Sequence, residues 1–257
     1  MKPASPIDLS GKVAIVTGGT RGLGRGIAAA LADAGCTVAA CGRNEPDSVA
    51  PAVEFHRVDV RDADAARAFV DAVATRHGRL DIVVNNAGGS PGGKAEAATP
   101  RFIDAILKLN LVAPLYMAQA AHPHLRAAGG GSIVNIASVS GIRPSPGTAV
   151  YGAAKAGLLN LTQSLAQEWG GAGIRVNAII AGLMATENAE ATYGDAAAQA
   201  AVGASMPLGR MGSGADLAGA ILWLCSPLAA WISGARINVD GGGERPYFLD
   251  LVKGAEA

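Results

Sequence analysis

Short runs of β-branched and apolar residues alternate along this chain with longer, Ala-rich segments of helical pattern. The runs occupy residues 13–17, 37–41, 53–58, 80–85, 132–137, 175–180 and 235–239. Consecutive apolar positions over so few residues suit strands buried on both faces of a parallel sheet. The helical patterns fall at about 22–34, 62–77, 100–127, 150–169 and 214–225. Strands alternating with helices imply βαβ units with right-handed crossovers. The expected fold is therefore α/β, a doubly wound parallel sheet of about seven strands. The 257 residues carry no internal repeat, linker or composition break, so a single domain over 1–257 is expected.

Two stretches depart from plain alternation. Residues 42–52, with Pro46 and Pro51, are barely long enough to join two parallel strands and should cross as loop or a single turn. Residues 183–214 are too long for an ordinary connection, and such segments are often lids or substrate loops.

Composition narrows the partners. With 21 basic and 21 acidic residues the formal net charge is +0, which removes the electrostatic case for nucleic acid. Aromatic residues make up only 4 %, too few for a base-stacking platform. No uninterrupted apolar stretch is long enough to span a membrane. The start, Met1-Lys2-Pro3-Ala4-Ser5-Pro6, has no apolar core of the kind a signal peptide needs. Cys36, Cys41 and Cys225 are odd in number, lack metal-ligand spacing and read as small buried hydrophobes in a reducing cytoplasm. His122 and His124 read as a solvated helix end, and no metal site is expected.

The first strand leads into Thr17-Gly18-Gly19-Thr20-Arg21-Gly22-Leu23-Gly24 and then directly into a helical pattern. Strand, glycine turn and helix together give a tight bend, close backbone approach and N–H groups at a positive helix end. A pyrophosphate needs all three, so a dinucleotide is the expected ligand of a Rossmann-type unit.

At this point the chain resembles the short-chain dehydrogenase/reductase family. Thr17, Gly18, Gly22 and Gly24 match its glycine turn. Asp59-Val60 resembles its adenine-binding pair, Asn85-Asn86-Ala87-Gly88 its motif after the fourth strand, and Val239-Asp240-Gly241-Gly242 its closing strand. The resemblance covers roughly residues 8–243 and is nearest to the 3-oxoacyl-carrier-protein reductase-like branch. It implies cofactor contacts from Gly18, Thr20, Arg21, Gly22, Leu23, Gly24, Asp59, Val60, Asn86, Ala87 and Gly88. It also implies a homotetramer and a small-molecule carbonyl or alcohol substrate.

The second strand should end near the adenosine ribose. It reads Cys41-Gly42-Arg43 with no carboxylate before Glu45. A guanidinium suits the 2′-phosphate of NADP, whereas a carboxylate would suit the 2′-hydroxyl of NAD. Arg43, helped by Arg21, therefore favours NADP, with NAD kept as the other choice.

Hydride transfer to a ketone leaves a developing alkoxide that needs a proton donor and hydrogen-bond support. Tyr151 and Lys155 stand four apart in a helical stretch and share a face. Alone they are an ordinary helix pair; with a cofactor turn they form an acid/base set. Tyrosine ordinarily ionises near ~10, and a neighbouring ammonium favours phenolate. Ser138 precedes Tyr151 by thirteen residues, the family spacing, and is suited to hold the substrate oxygen. By resemblance Asn110 supports a water relay to Lys155, which also bonds the nicotinamide ribose.

The chain also departs from the family pattern. Ala181-Gly182 stands where Pro-Gly is usual, while Thr186 keeps the carboxamide-binding position. The tail, 243–257, carries Tyr247, Phe248 and Leu249, expected either to pack on its own subunit or to reach an active-site rim, its own or a neighbour's. The substrate side (89–93, Ser140, Ile142, 183–206) reads as small or apolar, with no carboxylate or arginine cluster for an anionic substrate. A 3-oxoacyl thioester, a cyclic or steroid-like ketone and a sugar derivative all fit. The alternative to an enzyme is a cofactor-binding sensor or scaffold without turnover; the intact Ser138, Tyr151 and Lys155 set speaks against it.

Overall fold

The computed structural model describes residues 7–246, 248 and 252. Its strands are β1 (Val13–Thr17), β2 (Thr37–Gly42), β3 (Val53–Arg57), β4 (Ile82–Asn85), β5 (Gly131–Ser138), β6 (Ile174–Ala181) and β7 (Arg236–Val239). All pair in parallel, in the order β3-β2-β1-β4-β5-β6-β7. The order reverses direction between β1 and β4. In open α/β sheets ligands bind at that switch point, beyond the carboxyl ends of the strands.

The helices are α1 (Gly22–Asp33), α2 (Ala63–His77), α3 (Pro100–Leu107), α4 (Ala113–Ala127), α5 (Ala149–Trp169), α6 (Ala189–Tyr193), α7 (Ala196–Ser205) and α8 (Gly214–Cys225). Successive β1 residues point to opposite faces, and all five are buried. Ala14 and Val16 pack with Ile27 and Leu31 of α1 and Leu217 and Ile221 of α8. Val13 and Ile15 pack on the other face with Phe69 and Val70 of α2, Met117 and Leu125 of α4 and Leu165 of α5. Both faces are covered, which is why the strand runs lack polar alternation.

Polar ties fix the layers. Asp81, at the start of β4, accepts from the Val13 amide (3.0 Å), Lys12 Nζ (3.0 Å) and Arg79 Nη2 (2.7 Å). Its own carbonyl accepts from Ser132 N, so one residue joins the amino ends of β1, β4 and β5. Burial pushes this carboxyl up, but the bonds from Arg79, Val13 and Lys12 outweigh it and hold Asp81 below the usual carboxylate range. Deeper in the sheet, Asn85 Nδ2 donates to Asn135 Oδ1 and Asn135 Nδ2 donates to Thr162 Oγ1, both at 2.9 Å. That buried relay sets α5 against β4 and β5 and so fixes the rotation of the residues α5 carries.

Two local expectations change, and the long segment 183–214 gains detail. The helical pattern over 100–127 is interrupted by a π-helical turn, Lys108–Val112, between α3 and α4. The stretch 183–214 carries α6 and α7. His122 stacks on Trp169 with ring centres 4.8 Å apart, and His124 Nε2 sits 2.6 Å from Asp71 Oδ1, so this helix end is partnered where solvation was expected. The crossing over 42–52 is made without a helix. Cys36 and Cys41 are buried and Cys225 is half-buried; burial pushes all three thiols up to about 12, which leaves them unreactive. No helix among the described residues is long and apolar enough to cross a membrane, and no His, Cys, Asp and Glu cluster among them suits a metal.

Candidate active site

The glycine turn lies at the switch point. Thr17 Oγ1 accepts from the Asn86 and Ala87 amides at 3.0 and 2.9 Å, and Asn86 Nδ2 donates to Thr17 O at 2.9 Å. These bonds weld the turn after β1 to the segment after β4. Gly18 and Gly22 have φ of +63° and +53°, the left-handed region that side chains rarely adopt. A Cβ on Gly24 would lie 2.2 Å from Gly18 O, which rigid backbone cannot yield. Arg21 caps α1 with extended backbone and no side-chain bond, so no side chain of the cap takes the first N–H groups of the helix. A strained glycine cradle opening onto an uncapped helix end fits a pyrophosphate.

Residues expected around the adenosine half line up at the ends of β2 and β3. A Cβ on Gly42 would lie 3.5 Å from Thr20 Oγ1. Arg43 follows, its carbonyl accepting from Arg57 Nε at 3.2 Å. Asp59 is gripped by Arg61 at 2.6 Å, and that bond holds its carboxyl below the usual range despite partial burial, with Arg43 adding to the effect. Val60 and Leu23 contribute to the core, Val60 buried and Leu23 in part.

At the other half of the crevice, three elements bring the expected catalytic residues together. Ser138 ends β5, in register with Ala181 of β6, and its Oγ accepts from Ser140 N at 3.2 Å. Tyr151 and Lys155 come from the first turns of α5, with Lys155 Nζ 5.6 Å from the centre of the Tyr151 ring. Lys155 is 3 % exposed and donates to Ile136 O at 2.7 Å. Burial brings its ammonium down to about 8. Burial also pushes the Tyr151 phenol above its ordinary value; the Ser138 hydroxyl bonded to it opposes the rise, and Tyr193 adds to it. Desolvation thus dominates at the phenol, and the ammonium expected to favour phenolate is directed at a carbonyl.

Asn110 sits fully buried in the π-helical turn and bonds Gly89 through both amide atoms. A Cβ on Gly88 would meet Asn110 Oδ1 at 2.9 Å and Lys155 Nζ at 3.1 Å, so that glycine keeps space between them. Gly182 lies against Asp240, where a Cβ would come within 2.6 Å of the backbone. Thr186 and Glu187 approach Gly22, the nearest atom being Glu187 Oε2 at 3.4 Å from a Cβ there. The predicted residues therefore lie along the carboxyl ends of the strands, from Arg43 after β2 to Ser138 at the end of β5.

Sequence reasoning missed a charged rim. An open cavity of about 450 Å³ is lined by Val139, Ile142, Arg143, Asp240, Gly243, Glu244 and Arg245. Arg143 Nη2 donates to Glu244 Oε1 at 2.6 Å, and both charges influence Tyr193. These charges lie outside the stretches 89–93 and 183–206 expected to line the substrate side, beside Ile142, which was expected there. The partners lie 101 residues apart, so no local motif could reveal them. Of the tail residues expected at a rim, Phe248 is 62 % exposed, whereas Tyr247 and Leu249 lie outside the described residues.

A family model described as enoyl-(acyl carrier protein) reductase matches residues 18–244. The chain belongs to the short-chain dehydrogenase/reductase family. This short-chain dehydrogenase/reductase is 36 % identical to 2-dehydro-3-deoxy-D-gluconate 5-dehydrogenase of Escherichia coli over 246 residues, covering 93 % of this chain and 97 % of that one. It is 34 % identical to a 3-oxoacyl-[acyl-carrier-protein] reductase of Staphylococcus aureus over 241 residues, covering 90 % and 97 %. Among solved structures it resembles a candidate NAD(P)-dependent gluconate 5-dehydrogenase from Beutenbergia cavernae with NADP bound at low occupancy. That likeness has a TM-score of 0.85 and 32 % identity, over 93 % of this chain and 98 % of the other.

Proposed function

We propose that this short-chain dehydrogenase/reductase is an NADP-preferring oxidoreductase that interconverts a ketone and a secondary alcohol. The observation that carries the reading is the convergence of Ser138, Tyr151 and Lys155 beside the glycine cradle. When bound, the nicotinamide supplies or takes up the hydride. The chain's own residues manage the oxygen and its proton. In reduction, the Ser138 hydroxyl donates to the substrate carbonyl and supports the charge that develops on it. The neutral Tyr151 phenol gives its proton to the alkoxide: one O–H bond breaks at Tyr151 and one forms on the product. Lys155, brought to about 8, is matched to resupply that proton near neutral pH. Oxidation reverses the transfers.

Gly18, Gly22, Gly24 and the amino end of α1 would hold the pyrophosphate, Asp59 and Val60 the adenine, and Asn86, Ala87, Gly88, Gly182 and Thr186 the nicotinamide half. Arg43, with Arg21, supports NADP over NAD through a guanidinium's match to phosphate. Substrate classes in keeping with the relatives are oxo derivatives of sugar acids and 3-oxoacyl thioesters. A cytoplasmic homotetramer is the assembly the family resemblance favours.

The test is Tyr151→Phe assayed beside the parent chain with NADPH and NADH. Turnover should fall by about 10²–10⁴-fold, while NADPH binding, read by nucleotide fluorescence, persists. Retained turnover in that variant rejects the acid/base role, and a strong NADH preference rejects the cofactor assignment.

A further inference from the structure

The rim that sequence reasoning missed has a built-in asymmetry. Arg143 stands on a fixed support. It lies five residues beyond Ser138, and its amide donates to Val139 O at 3.1 Å at the end of the 3₁₀ turn Val139–Gly141. Glu244 stands after a glycine turn. It follows Gly241, Gly242 and Gly243, whose φ values of +68°, +97° and +78° all lie in the left-handed region. Only glycine adopts such a succession readily, and glycine also leaves it readily.

The bond between the two is a charged pair at 2.6 Å whose side chains are 40 % and 37 % exposed. Partly exposed pairs of this kind contribute little net stability. Exchanging Glu244 for another carboxylate therefore costs little and leaves the guanidinium satisfied. The pair lines the open 450 Å³ cavity together with Val139, the half-exposed side chain of Ile142, and the charged Asp240 and Arg245. The cavity adjoins the reacting centre along the chain: Val139 of its wall directly follows Ser138 at the end of β5.

We infer that Arg143 binds a carboxylate of the substrate, with Glu244 occupying that position until the substrate arrives. The substrate class is then an oxo acid or hydroxy acid whose carbon chain runs over Val139 and Ile142. Its carbonyl lies at Ser138 and Tyr151, and its carboxylate lies at Arg143. This assignment rests on the ketone and alcohol chemistry proposed above and adds the anionic group to it.

The experiment compares oxo acids with their primary amides, acetoacetate and levulinate among them, using the full chain and NADPH or NADH. The quantity read is the ratio of kcat/KM for acid over amide. It should favour the acid in the parent chain and fall by about ten-fold or more in Arg143→Gln, the loss expected for one charge-assisted hydrogen bond. Arg143→Lys should restore part of it. Glu244→Gln should raise the ratio, because its neutral amide competes less well for the guanidinium. Equal turnover of acids and amides, or a ratio unmoved in Arg143→Gln, overturns the carboxylate site while the proposed reaction stands. If none of the panel is reduced with either nucleotide, the reaction and the site fall together.

Discussion

Asn110 and Gly89 exchange a reciprocal pair of hydrogen bonds: Gly89 N donates to Asn110 Oδ1 at 2.9 Å, and Asn110 Nδ2 donates to Gly89 O at 3.0 Å. The second proton of Nδ2 goes to Ile106 O, one turn back, at 3.0 Å. The amide thus satisfies backbone groups in the π-helical turn and in the loop after β4 at once. π-helical turns often mark functional positions, and this one aims Asn110 at Gly88 and Lys155. Asn110→Leu removes the amide at similar volume and leaves three backbone groups without their partner. It should cost about 3 kcal/mol, lowering Tm by roughly 6–12 °C, and turnover should fall with it. Thermal unfolding and steady-state rates measure both.

Lys155 makes a pH prediction with a definite sign. Its ammonium is brought from 10.5 down to about 8 by burial, so the folded chain holds this proton less tightly than the unfolded chain does. Between those values the unfolded state binds more protons, and stability rises with pH. Below about 8 the burial penalty applies in full; above about 10.5 it is gone. The site alone contributes a rise of about 3 kcal/mol. Lys155→Met should remove that rise, seen in the difference between parent and variant urea curves from pH 7 to 10.5. Parallel stability curves for the two chains would reject the depressed ammonium.

The tightest glycine of the cradle gives a steric prediction. A Cβ on Gly24 would stand 2.2 Å from Gly18 O, a backbone atom that cannot rotate away. Gly24→Ala should therefore displace the turn, weaken NADPH binding by about ten-fold or more and cost about 1–3 kcal/mol. Gly170→Ala is the control, since a Cβ there meets nothing within 4 Å and φ is −56°. Equal NADPH affinity in both variants would reject the cradle.

What was legible in the sequence follows from the range of the interactions concerned. The strands were readable because burial on both faces leaves a run such as 13–17 with no polar interruption. Tyr151 and Lys155 were readable because a helix places residues four apart on one face. The π-helical turn at Lys108–Val112 was hidden, since one extra residue in a turn leaves the apolar pattern of 100–127 almost unchanged. The upward shift of the Tyr151 phenol was hidden because desolvation depends on everything packed around it. The pair of Arg143 and Glu244 was hidden because the sheet brings the end of β5 beside the end of β7 across β6, a juxtaposition of topology alone.

Asp81 governs stability at acid pH. Its carboxyl lies below the usual range, so it contributes stability that is present above the unfolded value near 3.8 and is lost as pH falls through the folded value. It is 4 % exposed and receives Arg79, Lys12 and the Val13 amide. Asp81→Ala should destabilise by about 3 kcal/mol at neutral pH. The variant should lose less stability than the parent when both are acidified from pH 5 toward the carboxylate range, as calorimetry can follow.

On the proposed NADP assignment, the charge at the end of β2 selects the nucleotide. Arg43 stands directly after Gly42, with Thr20 Oγ1 close against that glycine and no carboxylate among the strand's own residues. A guanidinium there gains from the 2′-phosphate of NADPH, while an acidic side chain would accept from the 2′-hydroxyl of NADH and repel the phosphate. Arg43→Asp should therefore lower kcat/KM for NADPH by about 100-fold, equivalent to about 3 kcal/mol, and raise it for NADH. Tm should move little, since the bond Arg43 makes among the described residues joins its backbone carbonyl to Arg57 Nε and survives the substitution. A variant that keeps its NADPH preference would place the phosphate elsewhere in the crevice, with Arg21 at the head of α1 the next residue to change.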